Sequence, residues 1–95
     1  MNWPFDQKEH VSALTTTRVV AQGLPILSVV HYSDDHSWAF LCGTTIEADL
    51  LMLASMKQIT HSDPTLFEIA DLPPGWCAKR LTRDSAWRCY QDESV

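Results

Sequence analysis

The chain has 95 residues, 45% hydrophobic and 20% charged, with a formal net charge of −5. That length is one domain with a modest core, and that composition is globular rather than disordered. The acidic balance argues against a nucleic-acid backbone as partner, because neutralising phosphates needs clustered Lys and Arg, and it favours a basic partner.

Met1-Asn2-Trp3-Pro4-Phe5-Asp6 lacks the basic and apolar regions of a leader, so a cytosolic location is expected. The longest apolar stretch, Leu50–Ala54, falls far short of the roughly 18 residues of a membrane span, so no membrane partner is expected. Cys42, Cys77 and Cys89 fit no disulfide framework and read as free, mostly buried thiols.

Residues 1–12 are polar and irregular, which predicts a loosely held arm. Ala13 to Gln22 contains Thr15-Thr16-Thr17 and Val19-Val20, β-branched residues that suit a strand. Gly23-Leu24-Pro25 is a turn, and Ile26 to Tyr32 is apolar enough for a central buried strand. The polar loop Ser33–Ser37 leads to a strand over Trp38 to Cys42, ended by Gly43; together these make an antiparallel hairpin. Alternation across that strand puts Trp38 and Phe40 on one face.

Residues 44–60 admit two readings. Thr44 and Glu47 have capping-box spacing, which favours a helix, whereas Leu50-Leu51-Met52-Leu53 suits a short buried strand equally well. The favoured order is a loop or helical turn, a strand near 50–54, then a helix from Met56 to Thr60. Asp63 followed by Pro64 is a helix start, because the carboxylate accepts from orphan amides and proline has no N–H to satisfy. Leu66, Phe67, Ile69 and Ala70 form its apolar stripe, and Leu72-Pro73-Pro74-Gly75 stops it. Trp76 to Leu81 and Trp87 to Gln91 read as a terminal hairpin around Thr82–Ala86, followed by a frayed tail. The expected fold is α+β, a mainly antiparallel sheet of four to six strands with two short helices packed on one face.

No catalytic or cofactor motif stands out. His31, His36 and Cys42 lack the paired short spacings of a structural zinc site, so no metal is expected. Cys77, between Trp76 and Ala78, reads as core packing rather than as an activated nucleophile. Asp63 reads as a cap and Asp34-Asp35 as a turn, while the summed carboxylates could form a partner surface. Lys79, Arg80, Arg83 and Arg88 read as a solvated strand face. The four tryptophans suit the core, although one could remain exposed as a binding anchor.

Several of these features occur together in Pro25-Ile26-Leu27-Ser28-Val29-Val30-His31-Tyr32, the acidic loop, and Ser37-Trp38-Ala39-Phe40-Leu41-Cys42-Gly43. They recur in the Asp63-Pro64 helix start and in Leu72-Pro73-Pro74-Gly75-Trp76-Cys77-Ala78-Lys79-Arg80. Over about residues 15–90 this order resembles immunity-protein family thirty-three of bacterial polymorphic toxin systems, first catalogued as a domain of unknown function. Ser37 stands where that family tends to have glycine before the tryptophan, and most of the acidic run after the strand's final glycine is missing. The resemblance implies a non-catalytic cytosolic protein that binds and neutralises a protein toxin or effector, without a cofactor. A small regulatory or adaptor module, with homodimers among its forms, is the alternative. The residues expected to touch the partner are Asp34, Asp35, His36, Glu47 and Asp49, in loops near the central hairpin.

Overall fold

The computed structural model describes residues 3–43 and 51–95. β1 (Ser12–Thr16) leads into the single turn α1 (Thr17–Val20), followed by the hairpin strands β2 (Ser28–His31) and β3 (Trp38–Leu41). Then come β4 (Leu51–Ser55), α2 (Met56–Ser62), a 3₁₀ helix (Pro64–Ile69), β5 (Trp76–Lys79) and β6 (Arg88–Gln91). The six strands form one sheet in the order β4-β1-β3-β2-β5-β6. β1 lies parallel to β3, and the other four pairings are antiparallel.

The register sorts the side chains. His31 faces Trp38 and Trp76, and Val29 faces Phe40 and Ala78. Directly opposed residues share a face, so these six point the same way. That face carries the core, where Val29, Trp38, Phe40 and Ala78 meet Phe5, Met56, Ile59, Leu66 and Ile69. Both α2 and the 3₁₀ helix therefore cover one side of the sheet, as the α+β reading expects. The indole of Trp38 is the hub: it lies flat against His31 at 4.0 Å and parallel to Phe40 at 5.9 Å, and meets Phe5 edge-on at 5.1 Å.

The strand expected over 13–22 stops at Thr16. The Thr16 hydroxyl accepts from the Val19 amide at 3.4 Å and caps α1, so Val19-Val20 is helical despite its β propensity. The arm is not loose in its described part. Phe5 is buried, the Trp3 indole donates to the Gln7 carbonyl at 2.6 Å, and the Val11 and Glu9 carbonyls accept from Met56 and Lys57. The tail is not frayed either: the Ser33 hydroxyl donates to the Val95 carbonyl at 2.7 Å. Trp76 is partly buried and packs against the core, and the final strand begins at Arg88 rather than Trp87. The capping-box reading of Thr44 and Glu47 lies outside the described residues; the strand and helix expected after it are β4 and α2.

Gly43 closes β3 for two reasons. Its φ is +84°, which favours glycine, and a Cβ there would sit 2.9 Å from Leu27 Cβ.

Asp63 caps the 3₁₀ helix, accepting from the Thr65 amide at 3.2 Å. Its second oxygen takes a 2.7 Å charge-assisted bond from Arg80, whose side chain is buried. The solvated face expected around Lys79 thus excludes Arg80. The Arg80 guanidinium also donates to the Ile26 carbonyl, the Thr65 hydroxyl and the Arg83 carbonyl, and lies 4.1 Å from the Trp87 ring centre.

Arg80→Ala should cost about 3–5 kcal/mol, the penalty for leaving a buried partner charge unpaired. Chemical denaturation checks it; a loss under about 1 kcal/mol, the value of an exposed pair, would contradict the burial. Trp38→Ala should also cost about 3–5 kcal/mol, and an unchanged urea midpoint would contradict its place at the hub.

Candidate binding surface at the acidic end of the sheet

The β2–β3 connection is held by its own side chains. Asp34 Oδ1 accepts from the Asp35 amide at 2.9 Å, and Asp35 Oδ1 accepts from the Ser37 amide at 3.0 Å. His36 sits at φ 60°, a left-handed conformation in which histidine is enriched among non-glycine residues. The Tyr32 amide donates to the Ser37 carbonyl at 2.9 Å and closes the turn. Asp34, Asp35 and His36 are all exposed. Asp34 and Asp35 form no ion pair among the described residues. Hydrogen bonds from the Ser37 side chain and backbone hold the Asp35 carboxyl below its ordinary value, so its charge persists into mildly acid solution.

Two other segments bring carboxylates to this end. The Asp92 amide donates to the Gly75 carbonyl at 2.9 Å, and Gly75 in turn donates to the His31 carbonyl at 2.7 Å. With the Ser33–Val95 bond, this places Asp92 and Glu93 beside the turn. Asp92 is likewise held below its ordinary value by hydrogen bonds from the Ser94 side chain and backbone.

The third segment is the arm. Asp6 Oδ1 accepts from the Trp38 indole at 2.8 Å, and Oδ2 lies 2.9 Å from His31 Nε2. The other His31 nitrogen lies 2.7 Å from the Leu72 carbonyl, and the ring is only 2% exposed. A carbonyl only accepts, so Nδ1 carries hydrogen in that bond. His36 Nδ1 stands 3.8 Å from the same Asp6 oxygen, and the Gln7 side-chain Nε2 donates to the His36 carbonyl at 3.0 Å. Asp6 thus pins the arm to the core and to the turn.

Of the residues expected at a partner surface, Asp34, Asp35 and His36 lie on one hydrogen-bonded, exposed turn. Glu47 and Asp49 lie outside the described residues. Sequence reasoning missed Asp6, Asp92 and Glu93. A signal for Asp6 existed: Trp3 and Phe5 come just before it in an otherwise polar arm, and aromatic residues there mark a segment that packs.

The thiols Cys77 and Cys89 are both raised above the usual value, chiefly by burial. That is opposite to what an activated nucleophile needs. No group of three or more histidine, cysteine or carboxylate side chains among the described residues could hold a metal ion. No helix among them is long and apolar enough to cross a membrane. Compared with protein-family models, curated proteins and solved structures, the chain finds no match in any of the three.

Asp6→Ala leaves two buried groups, the Trp38 indole N–H and His31 Nε2, without their partner, each worth about 1–3 kcal/mol when orphaned. The variant should lose stability in that range and expose the arm to proteolysis before global unfolding. Wild-type resistance at residues 3–10 would contradict the anchoring role.

Proposed function

We propose that the protein is a non-catalytic cytosolic binding module that occludes a basic protein partner, of the toxin or effector class, through the acidic end of its sheet. The carrying observation is the hydrogen-bonded turn. Asp34 and Asp35 are exposed and held by hydrogen bonds within the turn, and the neighbouring Ser33 is bonded to Val95 in the tail that carries Asp92 and Glu93. Pre-set side chains lose little entropy on binding, and a one-sign field speeds encounter with the opposite charge. The resemblance to immunity proteins agrees with this reading, because occlusion asks for a rigid surface of about 800 Å² per partner rather than for reaction chemistry.

The test keeps turn shape apart from turn charge. Asp34→Asn with Asp35→Asn retains both acceptors and removes two charges. The parent protein, used as bait in its host, identifies the partner by mass spectrometry, and association is then followed by stopped flow. The double variant should fold as the parent does, because exposed charges contribute little to stability. It should associate roughly tenfold more slowly at low salt, and the difference should shrink as added salt shortens the screening length to about 8 Å. Equal association rates at low salt would rule the acidic turn out.

A further inference from the structure

A second feature lies at the other end of the same strands. Ser28 and Lys79, aligned on β2 and β5, mark the end opposite His31 and Trp76. There the sheet and the 80–88 segment border an open pocket of about 660 Å³ whose walls include Leu27, Leu41, Leu81 and Ala86. Pockets of this volume commonly hold small ligands. Leu81 is 87% exposed, an unusual state for a large apolar side chain beside a concave surface.

The cations on its lining point to the ligand's charge. Lys79 and Arg88 both line the pocket and are directly opposed across the β5–β6 pair. Like charges in that relation destabilise a sheet. Neither side chain forms an ion pair within contact distance among the described residues; the Lys79 ammonium lies 5.9 Å from the centre of the Tyr90 ring, and its charge helps to lower the Asp92 carboxyl. An anion between the two would turn the unfavourable pair into two charge-assisted contacts. Arg80, although it also borders the pocket, is committed to Asp63.

We propose that this pocket binds a small amphiphilic carboxylate of the medium-chain fatty-acid class. The chain lies against Leu27, Leu41 and Leu81, and the carboxylate sits between Lys79 and Arg88. Apolar walls beside a paired cationic rim match that combination of chain and headgroup. The site is separate from the acidic turn and does not rest on the reading of that turn.

Octanoate, octanol and octylammonium share a chain and differ in charge, so titrating each into labelled protein and following amide shifts by NMR tests the assignment. Octanoate should give saturable shifts at Leu27, Leu81 and Arg88, at least fivefold tighter than octanol, with octylammonium weakest. Acetate, which lacks the chain, should leave these amides unmoved. Lys79→Gln with Arg88→Gln, at two exposed positions, should keep the dispersed spectrum of the folded protein and weaken octanoate on the order of tenfold. Octanoate should raise the thermal midpoint of the parent more than that of the variant. Equal affinity for the three amphiphiles, undiminished octanoate binding by the variant, or no saturable shift at millimolar octanoate would each overturn the proposal.

Discussion

Arg80 is the side chain on which the rest of the structure depends. Its guanidinium reaches the carbonyl of Ile26 ahead of β2, the cap Asp63 and Thr65 at the start of the 3₁₀ helix, and the carbonyl of Arg83, with Trp87 stacked beside it. A buried charge survives only when its donors are matched in this way. The consequence is geometric as well as energetic. The 3₁₀ helix, the start of β2 and the approach to β6 are all referred to one rigid group, so a 95-residue chain can hold a six-stranded sheet with helices on one face. The buried Trp87 indole N–H finds no hydrogen-bond partner among the described residues.

The sheet then separates two chemistries along its strands. At the His31 end, three segments distant in sequence deliver carboxylates: the arm through Asp6, the turn through Asp34 and Asp35, and the tail through Asp92. At the Lys79 end, two cations face each other over apolar walls. A net charge of −5 hides this separation, because it averages over both ends.

What could be read from the sequence was local. The hairpin of β2 and β3 was legible because alternation and a polar loop specify it within a few residues, and the cap at Asp63 was legible because Asp followed by Pro is a contiguous signal. The end of β1 was not, because Thr16-Thr17 and Val19-Val20 suit a strand until the Thr16 hydroxyl closes a turn. Asp34, Asp35 and His36 could be picked out as an exposed acidic turn, but its neighbours could not. Asp6 and His31 are 25 positions apart, and Asp63 and Arg80 are 17. Such pairings form only when the chain folds back, and neither charge pattern nor periodicity announces them.

The central claim is that recognition takes place at the acidic end. Hydrogen exchange measured residue by residue, on the free protein and on its complex with the partner, tests it most directly. The account predicts slowed exchange at residues 33–37 and 92–95 on complex formation, with α2 and the 3₁₀ helix unchanged. Protection confined to those helices, with the turn exchanging as in the free protein, would contradict it.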